Sequence, residues 1–481
     1  MQVNNINNTN FQGRTYINVL TDIHQYADKH CQLVNRVLEQ SVGNRNTVLL
    51  DNGDLFKGIY PKSALIGTYN EAKKRNPNLE IVFNVGNNDP GYDSNDRQIF
   101  YNFVNDLNRN NIHVISSNIY DKATGKRPKG IEPYTIIERD GDKLMYLGFS
   151  ADEFTQNVTG MESKKAVDVL TEMAPKLKNV IDSEKIKGIV LMVHDGPEII
   201  ANLTNKAKEL GLKVLMALGG HVHYPYENEQ NKIYMPEPFG ASMLSFNINL
   251  HDQGDITEFS HKKVDSKGLD FGIFKQKINS VNEQEGYYKP IAKSVMDLGF
   301  IWDDEHLLKP SELGTFYADG IKNLAQTEIG IVPKGWIYYN FPYKENDYIN
   351  KMDILTAFSQ PVKPIFKITV SPKTLKDLYQ SQLSTCNRLL ESSQNMGITI
   401  ENNQIKQIYI DNEPLLDENG NALNPDRRIV AAIDYFTVKD MDIDKRALSE
   451  TMYDGIVDNF KNIENKYHKE DRYPLPNVLY S

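Results

Sequence analysis

Five short apolar runs in the first half of the chain each end in residues that can hold a cation or move a proton. "INVL" is followed by Thr21-Asp22-Ile23-His24, "TVLL" by Asp51-Asn52-Gly53-Asp54, and "IVFNV" by Gly86-Asn87-Asn88-Asp89. "IVLMV" is followed by His194-Asp195-Gly196, and "LMAL" by Gly219-Gly220-His221-Val222-His223. Carboxylates, imidazoles and a carboxamide without thiolate favour Mn, Fe, Zn, Co or Ni over Ca or a sulfur-bound ion. Asp22, His24, Asp54, Asn87, His194, His221 and His223 are too many donors for one tetrahedral ion. They suit two ions, about 3.5–4 Å apart, that share a carboxylate. Alternation along extended chain predicts that Asp22 points with His24, and His221 with His223. Any one such pair is ordinarily a turn, and Asp89, Asp93 and Asp195 read as loop-solvating or capping residues. It is the recurrence at five strand ends that makes a metal site the better reading.

The runs themselves are continuous and rich in Val, Ile and Leu, as strands buried on both faces must be. Between them lie stretches long enough for helices, including Cys31–Gln40 and Ser163–Lys178. An α/β layered domain follows, and the ends of parallel strands in an open sheet share one crevice. "SMLSFNINL" and "GDITEFSHKKVD" alternate like an antiparallel pair closing that domain. Tyr287 to Phe300 has helical spacing, and a second unit with its own helices and strands starts near Pro310. The expected organisation is a flexible tail over 1–15, a catalytic domain over 16–265, a linker with a bridging helix over 266–300, and a smaller α+β domain over 301–481.

The 481 residues favour two or more domains, and 40% hydrophobic with 25% charged residues is a globular composition. A net charge of −10 argues against a general nucleic-acid or anionic-membrane binder, because phosphate would be repelled over most of the surface. Two cysteines, Cys31 and Cys386, imply no disulfide framework. No run reaches membrane-spanning length, and "MQVNNINNTNFQGRTY" has neither the basic start nor the apolar centre of a signal peptide. The expectation is a cytoplasmic protein, or one exported without such a signal, that binds neither nucleic acid nor membrane.

The five motifs together resemble the calcineurin-like metallophosphoesterase superfamily: Asp22-Ile23-His24, "GDLFKG" from Gly53, Gly86-Asn87-Asn88, His194, and "GHVH" from Gly220. That resemblance implies a four-layer α/β/β/α sandwich and two divalent ions. Asp22, His24, Asp54 and His223 would hold one ion, and Asp54, Asn87, His194 and His221 the other. The second half is similar to 5′-nucleotidase C-terminal domains at "ELGTFYADGI", "YINKMDILTAF" and "IYIDNEPLLDENGNALNPDRRIVAAIDYF". Hydrolysis of a nucleotide or other small phosphorylated substrate by metal-activated hydroxide is implied, in a cleft between the domains. Tyr435 and Phe436 fall where the family stacks an aromatic on a nucleobase.

Three departures bear on substrate. Where 5′-nucleotidases carry a catalytic histidine oriented by an aspartate, this chain has Asn88, with Asp93 nearby. The segment matching the family's "NGGxR" is "PKGWIY", without arginine, where Trp336 and Tyr338 stand as replacements for the missing contacts. The closing "GGDGY" is replaced by "TVKDMD". An amide cannot donate a proton to an alkoxide leaving group, a step worth typically 10²–10⁴-fold. The sequence therefore predicts a shifted substrate choice, toward a phosphoanhydride or diester. The alternative is a catalytically impaired family member that binds metal and nucleotide.

Overall fold

The computed structural model describes residues 14–480 except 44–45, 57–60, 92–93, 152–159, 251–254, 294–297, 299–307, 338–347, 359–362, 387, 439–440 and 464–472. Side chains are further described except at 94–96, 293, 336, 356, 386, 435–436, 463 and 480. The chain divides into two units, Met1–Val281 and Asn282–Ser481.

The first unit runs β1 (Arg14–Leu20), α1 (Ala27–Val42), β2 (Thr47–Asp51), α2 (Lys62–Leu65), α3 (Thr68–Arg75), β3 (Glu80–Asn84), α4 (Ser94–Arg109) and β4 (His113–Ile115). It continues with β5 (Ile119–Asp121), β6 (Tyr134–Arg139), β7 (Asp142–Ser150), β8 (Met161–Ser163), α5 (Ala166–Glu184), β9 (Gly188–His194) and α6 (Pro197–Glu209). β10 (Val214–Leu218), β11 (Tyr226–Asn228), β12 (Ile233–Met235), β13 (Ser242–Leu250) and β14 (Ile256–Asp265) follow. One six-stranded sheet has the order β14-β13-β1-β2-β3-β4, and the other β11-β12-β10-β9-β7-β6. β1 to β4 are mutually parallel, as are β7, β9, β10 and β12. β13 and β14 form the predicted antiparallel pair.

Strand alternation explains why these runs are apolar on both faces. In β9, Val190 and Met192 join Ile17, Val19 and Leu50 in a core between the sheets, while Ile189, Leu191 and Val193 face Leu170 of α5 and Leu203 of α6. β7 divides the same way, with Tyr146 inward and Leu147 and Phe149 outward. With α1 and α3 lying on the other sheet, the layers are α/β/β/α. Each buried aliphatic side chain of this kind stabilises the fold by roughly 1.5–3 kcal/mol.

The second unit has a five-stranded sheet in the order Glu391–Ser392, Ile329–Val332, Ile429–Asp434, Pro364–Val370, Asp444–Thr451. One face packs the helices Glu312–Ala325 and Met452–Ile463, through Phe316, Ile321, Ile456 and Phe460. The other packs helix Pro372–Cys386 and the strands Met396–Glu401 and Gln404–Ile410. Ser311 caps Glu312–Ala325 by accepting from Gly314 N at 3.0 Å.

Two sequence expectations change here. Where a helix is expected over Tyr287–Phe300, the described residues contain a strand, Pro290–Lys293, paired with Tyr348–Asn350, and 294–297 and 299–300 lie outside the described residues; a helix does occur earlier, at Lys275–Glu285. Helical spacing is overridden at Pro290–Lys293 by pairing with a strand almost sixty residues away, which buries Ala292 beside Ile349. The predicted helices Cys31–Gln40 and Ser163–Lys178 appear as the longer α1 and the shifted α5. No helix among the described residues is long and apolar enough to cross a membrane.

Candidate metal centre

The five strand ends do not belong to one open sheet. β1, β2 and β3 deliver theirs from one sheet, and β9 and β10 from the other. Register aligns the ends within each sheet: Leu20 sits opposite Asp51, Asp51 opposite Phe83, and Leu218 opposite Met192. Buried carboxamides join the two sheets at this level. Asn52 Nδ2 donates to Val193 O at 3.1 Å and its Oδ1 accepts from Asn84 Nδ2 at 3.1 Å, while Asn84 Nδ2 also donates to Phe149 O at 2.9 Å.

Two groups of donors result. Asp22, His24, Asp54 and His223 form one, and Asp54, His194 and His221 the other, each with donor atoms within 4.8 Å of one another. Asn87 Oδ1 lies 2.9 Å from His221 Nδ1, which brings the carboxamide to the second group. Ligands held about 2.1 Å from a tetrahedral ion stand roughly 3.4 Å apart. The observed separations are of that size: His223 Nε2 to Asp22 Oδ1 3.4 Å, His24 Nε2 to Asp22 Oδ1 3.6 Å, His24 Nε2 to Asp54 Oδ2 3.7 Å, and His194 Nε2 to Asp54 Oδ2 3.3 Å.

Asp22 and His24 fall in one group as expected, whereas His221 and His223 do not, and neither pair is placed by extended backbone. Asp22, His24, Asp54, His221 and His223 all have left-handed backbone, with φ of 49°, 45°, 57°, 73° and 58°. Each such residue costs of order 1–3 kcal/mol and persists only where its surroundings enforce it. His221 and His223 are thereby sent to different groups. The turns are enforced by close approach: a Cβ on Gly220 would meet Thr21 Oγ1 and Asp22 Oδ2, and one on Gly86 would meet Asp54. Asp22 N and His24 N also donate to Gly53 O and Asp54 O at 2.9 Å each.

The donors fit divalent cations. His194 Nδ1 must donate to the Asn52 carbonyl, 2.7 Å away, which turns the buried Nε2 toward Asp54, where a cation can take the place of its proton; Nε2 makes no hydrogen bond. Although burial disfavours its charge, Asp54 and Asp22 push the His194 pKa up to about 10 in the metal-free protein. Burial raises the carboxyls of Asp22 and Asp54, but His194 and the other imidazoles outweigh it and hold both below the usual range. His24 and His221 are pushed down by burial, His221 also by His194. The result is a buried, polarised nest with carboxylates ionised.

Asn88 is 6% exposed, and its side chain points to the shared carboxylate: Nδ2 donates to Asp54 Oδ2, and the backbone N to Oδ1 at 2.8 Å. Asp93 lies outside the described residues, as do the side chains of Trp336, Tyr435 and Phe436, and Tyr338 altogether. In the "PKGW" segment the cation present is Lys334, which is buried and paired with Glu391 at 3.0 Å.

Several site residues escaped the sequence reading. Asp89, read as a solvating or capping residue, is 1% exposed and accepts from the backbone N of Gly86, Asp54, Leu55 and Phe56 at 2.7–3.2 Å. Burial and the neighbouring Asp54 push its carboxyl upward against those four donors. Beneath Asp54, Tyr69 donates to Asp51 Oδ2, Gly53 N donates to Asp51 Oδ1 at 3.0 Å, and His30 Nε2 lies 2.9 Å from the Tyr69 hydroxyl. Phe239 packs against His24 and His223 at ring separations of 5.6 and 5.0 Å. Only Asp89 carried a local signal, its place in "GNND".

No family model matches the chain. A 240-residue stretch is 24% identical to the trifunctional nucleotide phosphoesterase protein YfkN of Bacillus subtilis, covering 45% of this chain and only 16% of that protein. Among solved structures, the 5′-nucleotidase precursor of Thermus thermophilus superposes with TM-score 0.69 at 13% identity, covering 97% of this chain and 99% of its own. The Thermus thermophilus sulfate thiohydrolase SoxB does so with TM-score 0.68 at 14% identity, covering 97% of each chain. The chain therefore has the fold of solved 5′-nucleotidases, an architecture shared with at least one hydrolase of another substrate class, so that the reaction must be argued from its own residues.

Proposed function

We propose that the protein is a phosphohydrolase dependent on two divalent ions, Mn, Zn, Fe, Co or Ni, and acts on a small phosphorylated substrate, most simply a nucleotide. The observation that carries this reading is the meeting of two donor groups at one buried carboxylate, Asp54, which His194 Nε2 faces without a hydrogen bond. Asp22, His24, Asp54 and His223 hold one ion, and Asp54, Asn87, His194 and His221 the other. Ions so held supply Lewis acidity toward phosphoryl oxygens and lower the pKa of water. The nucleotide-phosphoesterase name of the Bacillus relative supports the substrate class.

The chain's own part is positioning and polarity. The Asn52 carbonyl orients His194, the Asp89 carboxylate holds the loop that presents Asp54, and the Asn88 amide donates a hydrogen bond at the shared oxygen. Asn88 has no proton to transfer, so leaving groups that depart without protonation, such as phosphate, are favoured over a ribose alkoxide. The same carboxamide favours a second reading, a metal- and nucleotide-binding protein without turnover. Metal analysis of the purified protein, joined to a panel of nucleotides, pyrophosphates and diesters, tests both. Two bound equivalents with turnover of a panel member is the expected result; tight metal and nucleotide binding without any hydrolysis selects the second reading.

A further inference from the structure

We propose a second ligand site in the first unit, an anion-binding cavity fitted to a small organic phosphate, at the opposite ends of the elements that carry the metal donors. A cavity of about 440 Å³ is lined by Thr204 and Lys208 of α6, Lys213 and Leu215 around the start of β10, Lys232 ahead of β12, and Ile256 at the start of β14. That volume is within the roughly 300–1,000 Å³ of small-molecule pockets. β10 leads from this cavity to His221 and His223, and α6 begins just after His194, so the two sites share elements without sharing residues.

Three lysines lining one cavity stand out in a chain of net charge −10. Lys213 is neutralised by Asp255 at 2.8 Å, whereas among the described residues Lys208 and Lys232 make no ion pair. Lys232 has left-handed backbone, φ 52°, and its ammonium lies 5.2 Å from the Phe259 ring. Thr204, one helical turn before Lys208, contributes to the wall, though its hydroxyl is itself shut off from solvent and has no hydrogen-bond partner. Compact ammoniums bind phosphate as point charges, and Leu215 with Ile256 offers an apolar surface for the organic part. The inference does not depend on the proposed reaction, since no metal donor lines the cavity.

Residue-resolved lysine acetylation, read by mass spectrometry with and without AMP, tests the site on the protein as isolated and again after chelation, when turnover cannot deplete the probe. Lys208 and Lys232 should label about tenfold more slowly at a probe concentration roughly ten times the dissociation constant, while exposed Lys74 and Lys176 do not change. Adenosine, which lacks the anion, should give no protection. The double variant Lys208→Glu/Lys232→Glu should keep its thermal midpoint and lose the calorimetric AMP signal that persists after chelation. Unaltered labelling at AMP concentrations that saturate the calorimetric signal, equal protection by adenosine, or an undiminished signal in a folded double variant would each overturn the proposal.

Discussion

His194 Nε2 stands 3.3 Å from Asp54 Oδ2, and the opposite ring nitrogen is committed to the Asn52 carbonyl at 2.7 Å. One side chain is thus locked from behind and left open in front, toward a carboxylate common to both donor groups.

Removing either residue should separate the two groups. His194→Gln should lower bound metal by about one ion per chain, and Asp54→Asn should weaken both sites, because a bridging carboxylate serves two ions. Metal content after gel filtration, with circular dichroism to verify folding, checks this. Equal metal content in His194→Gln and wild type would refute the assignment.

Acid should destabilise the protein through His30. Burial pushes this imidazole down to about 3, below its ordinary value of 6.5. The unfolded chain therefore takes up a proton that the folded one refuses, so stability is complete above about pH 6.5 and declines as pH falls toward 3. Urea midpoints at several pH values, compared between wild type and His30→Gln, should show a shallower acid decline in the variant.

Asp89→Asn should destabilise the first unit by roughly 2–3 kcal/mol, because an amide in place of a carboxylate oxygen turns a donor toward backbone N–H groups that need an acceptor. Either Asp54 and Gly86, which share Oδ2, or Leu55 and Phe56, which share Oδ1, would lose their acceptor together. The expected signature is a lowered denaturation midpoint joined to weaker metal binding. A change in stability alone would show that Asp89 supports the fold without holding Asp54.

Asn88→His should raise turnover of a nucleoside monophosphate by about tenfold or more while leaving an activated aryl phosphate nearly unchanged, since only the poor leaving group needs a proton. Paired kcat measurements on the two substrates provide the check. Equal effects on both would place Asn88 outside leaving-group chemistry.

Much of the core was legible because strand and helix burial writes itself into local periodicity. The runs that became β1, β2, β3, β9 and β10 are apolar on both faces because one face meets the other sheet and one meets helices. The segment Tyr287–Phe300 misled for the converse reason: its strand exists only through pairing with Tyr348–Asn350. Asn52 and Phe239 were illegible as site residues, and Asp89 was legible only by its place in "GNND", since all but one of their partners lie 30 or more residues away and their types are common in ordinary loops.

By itself the sequence determined which donors the protein owns and that each follows a strand, because cation chemistry requires particular side chains and strand ends are where backbone turns free them. Only the tertiary structure decided how those donors divide. His221 and His223 lie two residues apart yet serve different groups, and Asp22 shares a group with His223, two hundred residues on. The physical reason is that grouping is set by close packing of left-handed turns from two sheets, held by Gly86, Gly220 and Asn52, and no local spacing encodes contacts between segments so far apart. The same packing makes Asn88 a hydrogen-bond partner of Asp54.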